Sequence, residues 1–142
     1  MLDSKEFIKL LNNTGCDYNL YKHQPLFTVE DSNKFRGQIR GSHSKNLFLK
    51  NKKNKFFLIS CHEFTEINLK QISKSLGLGN VSFAKEKYLI ELLGIKPGSV
   101  SPFALLNNAE KEIDFYLEDK LHNSDFVNFH PLINTATVTM KS

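Results

Sequence analysis

Three polar groups in this 142-residue sequence have residue types and spacing suited to chemistry. The first is Gly41-Ser42-His43-Ser44-Lys45-Asn46, just ahead of the apolar run Leu47-Phe48-Leu49. It sets Lys45 where a loop enters a buried strand, and a compact ammonium there suits phosphate oxygens. Taken alone, a lysine at such an edge is most often only solvated. The second is Gly98-Ser99-Val100-Ser101-Pro102. Glycine permits close backbone approach, and proline fixes the loop and removes a competing donor. Such a loop aims backbone N–H groups at a ligand oxygen, although an ordinary surface turn has the same composition. The third is Phe129-His130-Pro131, followed by Asn134-Thr135-Ala136-Thr137. A histidine fixed before a proline at a strand end is either a pocket residue or a hydrogen-bonded structural one.

Other signatures are missing. The sequence has no Gly-x-Ser-x-Gly, no phosphate-binding Gly-x-x-x-x-Gly-Lys, no Gly-x-Gly-x-x-Gly and no His-Glu-x-x-His. Cys61-His62-Glu63 resembles a thiol or metal site, but adjacent strand residues point to opposite faces and converge poorly. A buried Cys61 at a strand end accounts for it better. Two cysteines, Cys16 and Cys61, are too few for a disulfide scaffold or a paired-cysteine zinc site. The expectation is a site with no metal and no cofactor.

Several elements must position these groups. Asp3 caps a first helix, with Glu6 three residues on and Phe7, Leu10 and Leu11 as its apolar face. Residues 17–23 alternate as a strand. Pro25 interrupts it, Phe27-Thr28-Val29 follows, and the polar residues 30–41 read as a short helix plus a loop. Leu47-Phe48-Leu49 and Phe56-Phe57-Leu58-Ile59 flank the polar turn Asn51-Lys52-Lys53-Asn54, and so read as a hairpin whose second strand is buried on both faces. Asn68 caps a helix through Leu69, Ile72 and Leu76 that Gly77 stops. A further helix spans 86–93 and ends at Gly94. Residues 96–102 are a loop, since two prolines and a glycine exclude regular pairing. Apolar packing resumes over 103–106. Residues 113–117, 126–129 and 135–139 read as late strands. Without a regular βαβ repeat, this order predicts a single α+β (mixed α/β) domain with a mixed, largely antiparallel sheet and flanking helices.

The charge sets the class of partner. Lys and Arg number 19 against 15 Asp and Glu, a net charge of +4. All the cations but Arg36 and Arg40 are lysine. Part of the excess fits an AT-biased genome, so position matters more than number. Arg36, Arg40, Lys45, Lys50, Lys52, Lys53 and Lys55 fall within 20 residues that hold no acid. Such a local run suits a nucleic-acid backbone. No apolar stretch is long enough to cross a membrane. The opening residues lack an export signal, which makes the expected location cytoplasmic.

Taken together, four segments resemble the YbaK/prolyl-tRNA synthetase-associated editing-domain family. They are Pro25-Leu26-Phe27-Thr28-Val29-Glu30, the run from Gly41 through Lys50, the run from Leu92 through Asn107, and the run from Asn128 through Thr137. Each is weak alone, but the four stand in the family's order over most of the chain, from Tyr18 to Met140. Within the family the chain is most similar to free-standing members that deacylate alanyl-tRNA(Pro).

The resemblance implies roles. Lys45 matches the family's key lysine, which engages the 3′-terminal nucleotide. Gly98, Ser99, Val100, Ser101 and Pro102 match a Gly-x-x-x-Pro loop whose backbone surrounds the aminoacyl ester. His130 matches a histidine on the pocket wall, and Asn46 follows the lysine as in close relatives. Asn51 and Asn108 stand where many relatives carry aspartate. Phe27, Val100 and Ala104 are expected to line a small-side-chain pocket. Arg36, Arg40, Lys50, Lys52 and Lys53 are expected to hold the acceptor end of tRNA(Pro). The implied activity is trans-editing by a monomer, with prolyl-tRNA synthetase as a candidate companion. The alternatives are a deacylase of Cys-tRNA(Pro) or another small aminoacyl-tRNA, and a non-catalytic tRNA- or synthetase-binding module.

Overall fold

The computed structural model describes residues 1–23, 41–108 and 113–142. The expected break at Pro25, the run 27–29 and the helix and loop over 30–40 lie outside the described residues, as do Phe27, Arg36 and Arg40.

The first helix, α1 (Ser4–Asn13), starts where the Asp3 side chain accepts from the Glu6 N–H at 2.8 Å. Phe7 and Leu11, four residues apart, share its buried face, whereas Leu10 is exposed rather than part of that face. Strand β1 (Tyr18–Lys22) follows. Strands β2 (Ser42–Asn51) and β3 (Phe56–His62) form the expected antiparallel hairpin, with Leu47 opposite Ile59 and Leu49 opposite Phe57. In the turn, the Asn51 Oδ1 accepts from the N–H groups of Lys53 and Lys55, both at 3.0 Å. Leu49 and Leu58 are fully buried. The two lie on opposite faces of the sheet, Leu58 in one core cluster and Leu49 in the other, so the hairpin is packed on both sides.

Helix α2 (Leu69–Leu76) is capped by Asn68 and ends at Gly77 in the left-handed conformation (φ 67°), as its sequence predicts. Strand β4 (Val81–Phe83), α3 (Glu86–Tyr88) and a π-helical stretch over Leu89–Leu93 come next, ended by Gly94 (φ 66°). A 3₁₀ helix spans Pro102–Asn108. Strand β5 (Ile113–Leu117), α4 (Asp119–His122), β6 (Phe126–Phe129) and β7 (Ala136–Lys141) complete the described elements. Strand β4 and helix α4 escape the sequence reading because three and four residues are too short to show a period.

The sheet runs β1-β7-β6-β2-β3-β5, with β4 also paired to β2. β1–β7, β7–β6, β2–β3 and β2–β4 are antiparallel, while β2–β6 and β3–β5 are parallel. The sheet is therefore mixed and largely antiparallel. One face packs Phe48, Leu58 and Val138 against α1 and the π-helical stretch. The other packs Leu47, Leu49, Phe57 and Ile59 toward Leu69 and Ile72 of α2.

Candidate active site

Strand β2 organises the site, and it starts earlier than its apolar residues indicate. Ser42 through Asn46 lie within the strand rather than in a loop leading to it. The side chains of Ser42, Ser44 and Asn46 do not break the ladder because they find partners. The Ser44 hydroxyl donates to the Asn128 carbonyl at 2.8 Å, and the Asn46 amide donates to the Ser44 oxygen at 3.2 Å. Ser60, wholly buried on β3, donates to the Asn46 Oδ1 at 2.5 Å. Asn46 thus braces the strand from the face opposite Lys45.

One edge of β2 pairs with β3 from Ser44 to Lys50. The other edge is shared. β6 takes only Ser42 and His43, and β4 takes Leu49 to Asn51. On that side the Phe48 carbonyl accepts from the Ala84 N–H at 2.9 Å, and no described strand pairs with 44–47, so the described residues leave a notch in the sheet beside Lys45. Lys45 itself is half-buried and makes no ion pair to a described residue.

The strands beside the notch carry a buried polar surface. His43 lies opposite Asn128, and Asn128 opposite Thr139. Asn128, Thr137 and Thr139 are almost completely buried. The Thr139 hydroxyl donates to the Asn128 Oδ1, and the Asn128 amide donates to the Ser42 carbonyl at 3.3 Å. His23 Nε2 shares a hydrogen bond of 2.8 Å with the Thr137 hydroxyl. Its ring stands edge-on to that of His130, 6.1 Å between centroids.

His130 is held by its own loop. Its Nδ1 is 2.8 Å from the Ala136 carbonyl. Pro131 is fully buried, and Leu132, whose N–H returns to the His130 carbonyl at 3.0 Å, sits at φ 67°. A branched residue in that left-handed region stores strain, a cost that well-defined surroundings sustain at working sites. Burial pushes the His130 pKa below the usual 6.5. The Ala136 hydrogen bond opposes this, and the nearby His23 and His43 add to it.

The 98–102 loop meets the His130 loop. Gly98 has φ 86°, and a Cβ there would stand 3.6 Å from the Asn134 amide nitrogen. The Ser99 N–H is bonded to the Lys96 carbonyl at 3.1 Å, so that donor is engaged. Ser99 and Ser101 are buried, and the Ser101 hydroxyl finds no partner among the described residues. Val100 is half-buried, and Ala104 is wholly buried in the core. Pro102 opens the 3₁₀ helix.

The cationic hairpin lies farther off. Lys50 is five residues beyond Lys45 along β2, roughly 17 Å at the strand rise. Lys52 and Lys53 are exposed in the turn. The Lys50 and Lys87 ammonium groups lie 5.3 and 4.9 Å from the Tyr88 ring centre. Lys55 pairs with Asp114 at 3.1 Å. Cys61 is buried, and its thiol donates to the Lys45 carbonyl at 3.6 Å. His62 Nδ1 accepts from the Phe64 N–H at 3.1 Å, so Cys61, His62 and Glu63 do not converge.

Sequence reasoning notes Thr137 beside His130 without giving it a role, and it misses His23 and Thr139 as site residues. Their signal is the polar alternation Thr135, Thr137, Thr139 within a strand, which becomes informative only once that face is known to be buried.

A half-buried lysine on β2, a half-buried histidine whose pKa burial lowers and a glycine-led loop are the candidate site groups, with no nucleophilic dyad among the described residues. A family model for the aminoacyl-tRNA editing domain matches residues 23–142, and the chain belongs to that family. It is accordingly an enzyme of the aminoacyl-tRNA deacylase class. Prolyl-tRNA synthetase associated domain-containing protein 1 from Danio rerio is 34% identical over 94% of this chain and 72% of its own length. Prolyl-tRNA editing protein ProX from Acetoanaerobium sticklandii is 31% identical over 98% of this chain and 86% of its own. Among solved structures, a candidate trans-editing enzyme for prolyl-tRNA synthetase superposes with a TM-score of 0.75 at 17% identity, over 99% of this chain and 88% of that one. The hypothetical protein APE2540 gives 0.75 at 18%, over 98% and 89%. At these identities the two structures speak for the fold.

Proposed function

We propose that the chain edits in trans, hydrolysing the ester of mischarged tRNA(Pro), with Ala-tRNA(Pro) as its main substrate. The observation that carries this reading is the grouping of His23, His43 and His130 with Asn128 and Thr137 beside the strand that carries Lys45. The names of the ProX protein and of the synthetase-associated relatives support the choice of tRNA.

An aminoacyl ester beside an ammonium group and ribose hydroxyls is already activated. The enzyme needs only to position it and stabilise the oxyanion. One oxyanion donor contributes about 3–4 kcal/mol, and orientation adds more. The buried Ser101 hydroxyl and the N–H groups of Gly98, Val100 and Ser101 supply donors, that of Ser99 being bonded to the Lys96 carbonyl. Lys45 holds the terminal nucleotide through its phosphate. The Ala136 carbonyl only accepts, so the neutral His130 carries its proton on Nδ1 and presents Nε2 as an acceptor. That lone pair orients a ribose hydroxyl or the substrate ammonium. A ribose hydroxyl of the substrate positions the attacking water. Val100 is the pocket wall, with Phe27 from outside the described residues, and it excludes the proline ring by size, while Ala104, wholly buried in the core, packs behind it rather than facing the substrate. The chain works as a cytoplasmic monomer on the acceptor end of tRNA(Pro), beside prolyl-tRNA synthetase.

The test compares deacylation of Ala-, Cys-, Ser- and Pro-tRNA(Pro) by the wild type and by Lys45→Ala. Ala-tRNA(Pro) is hydrolysed fastest and Lys45→Ala loses the activity. If Cys-tRNA(Pro) is fastest, the substrate assignment moves there. If none is hydrolysed faster than in buffer, the reading fails.

A further inference from the structure

We propose that the cleft between α2 and the β3–β5 side of the sheet receives the terminal adenine of the tRNA, and that Gln71 and Tyr116 bind it. This rests on the editing reading above. It concerns a part of the molecule that the aminoacyl site does not use.

The cleft encloses about 380 Å³, within the roughly 300–1,000 Å³ of small-ligand sites. It exists because α2 is incompletely seated. Leu69, Ile72 and Leu76 form its apolar stripe, yet no residue of the helix is buried. Ile59 on β3 and Tyr116 on β5 face that stripe across the open space. Tyr116 is half-buried, so part of its ring is open to the cleft. A cleft with an apolar floor of Ile59, Ile67 and Ile72 and one aromatic residue suits a base, which every nucleotide can stack on a ring.

Position and charge name the occupant. Cys61 lines the cleft and is the register partner of Lys45. The Cys61 end of the cleft therefore lies one strand spacing, about 5 Å, from the backbone of the lysine that takes the terminal phosphate. The lining residues include Glu66 and Glu118 and no cation. Glu118 is held by the His62 N–H at 3.0 Å and the Thr65 hydroxyl at 2.7 Å. An anionic rim repels phosphate, so the nucleotide enters base first and leaves its phosphate at Lys45. The Gln71 carboxamide lies at the cleft, exposed, and bonds to no described residue. Its paired donor and acceptor match the N6 and N7 edge of adenine, the base that ends every tRNA.

Binding of 5′-AMP, 5′-CMP and ribose 5-phosphate to the full chain, followed by NMR shifts, tests this. AMP binds roughly tenfold more tightly than ribose 5-phosphate, and Gln71→Ala or Tyr116→Leu removes most of that advantage. Gln71→Ala is a favourable helix substitution, so it keeps the fold. Its Ala-tRNA(Pro) kinetics change in KM with kcat retained. Equal affinity for AMP and ribose 5-phosphate, or an AMP advantage that both variants keep, overturns the cleft assignment. Wild-type deacylation is measured alongside. Hydrolysis without an AMP preference removes the cleft alone, and an AMP preference without hydrolysis removes the editing reading alone.

Discussion

His130 donates its Nδ1–H to the Ala136 carbonyl at 2.8 Å. That bond leaves Nε2 as the free end of a ring that burial, with His23 and His43 nearby, holds neutral. The native pKa lies below the unfolded value of 6.5. Between the two, the native state binds fewer protons, so stability rises with pH. It is fully present above about 6.5 and is lost as pH falls through the native pKa. The expected kcat/KM is flat from pH 8 to below 6.5. His130→Gln lowers it roughly tenfold or more and shrinks the acid loss of melting temperature. A kinetic inflection at 6.5 that vanishes in His130→Gln contradicts the acceptor role and points to a general base.

Lys45 is half-buried and unpaired among the described residues, so its charge is available to a ligand rather than to the fold. Lys45→Ala is expected to lower kcat/KM roughly 10- to 100-fold while stability stays within about 0.5 kcal/mol. Lys45→Arg does not restore activity, because a planar guanidinium does not occupy the place of a compact ammonium. Single-turnover deacylation with thermal melts checks both. An unchanged kcat/KM in Lys45→Ala removes the lysine from the site.

The two thiols should separate cleanly. Burial, and secondarily the Glu118 charge, raises the Cys61 pKa, with Lys45 opposing. Cys61 is therefore protonated at neutral pH and inert, while Cys16 is exposed. Iodoacetamide is expected to modify Cys16 alone in the native protein and both thiols after denaturation, as mass spectrometry would read. The singly modified enzyme keeps its deacylase activity. Rapid native labelling at Cys61, with loss of activity, would place a reactive thiol in the mechanism.

Much of the fold is legible in the sequence, for physical reasons. The hairpin around Asn51 and the cap at Asn68 are local: the turn and cap residues bond to backbone two to four positions away. The start of β2 is not legible, because Ser44 and Asn46 are satisfied by Asn128 and Ser60, distant in sequence. The same holds for the site. Lys45 and His130 stand out through their neighbours, but the pairing of His23 with Thr137 spans most of the chain and leaves no local mark. The separation of the lysine hairpin from Lys45 also depends on the strand itself. Lys50, Lys52, Lys53 and Lys55 fall outside the notch only once β2 is extended from Ser42 to Asn51, and Arg36 and Arg40 lie beyond the described residues.

That separation yields a further expectation. Lys50 lies roughly 17 Å from Lys45 along β2, so the hairpin can meet phosphates of the acceptor stem but not the terminal nucleotide. Lys50, Lys52 and Lys53 are the cations to remove, because the charge of Lys55 is partly taken up by Asp114. The triple alanine variant should bind tRNA more weakly, with a shallower salt dependence. Each duplex phosphate that the variant fails to neutralise reduces the slope of log K against log salt by about 0.9. Its kcat at saturating tRNA stays the same. A short aminoacyl-CCA substrate without a stem should be hydrolysed equally by wild type and variant. Equal salt slopes for the two proteins on full tRNA, or an equal loss on the stemless substrate, would detach the hairpin from the stem.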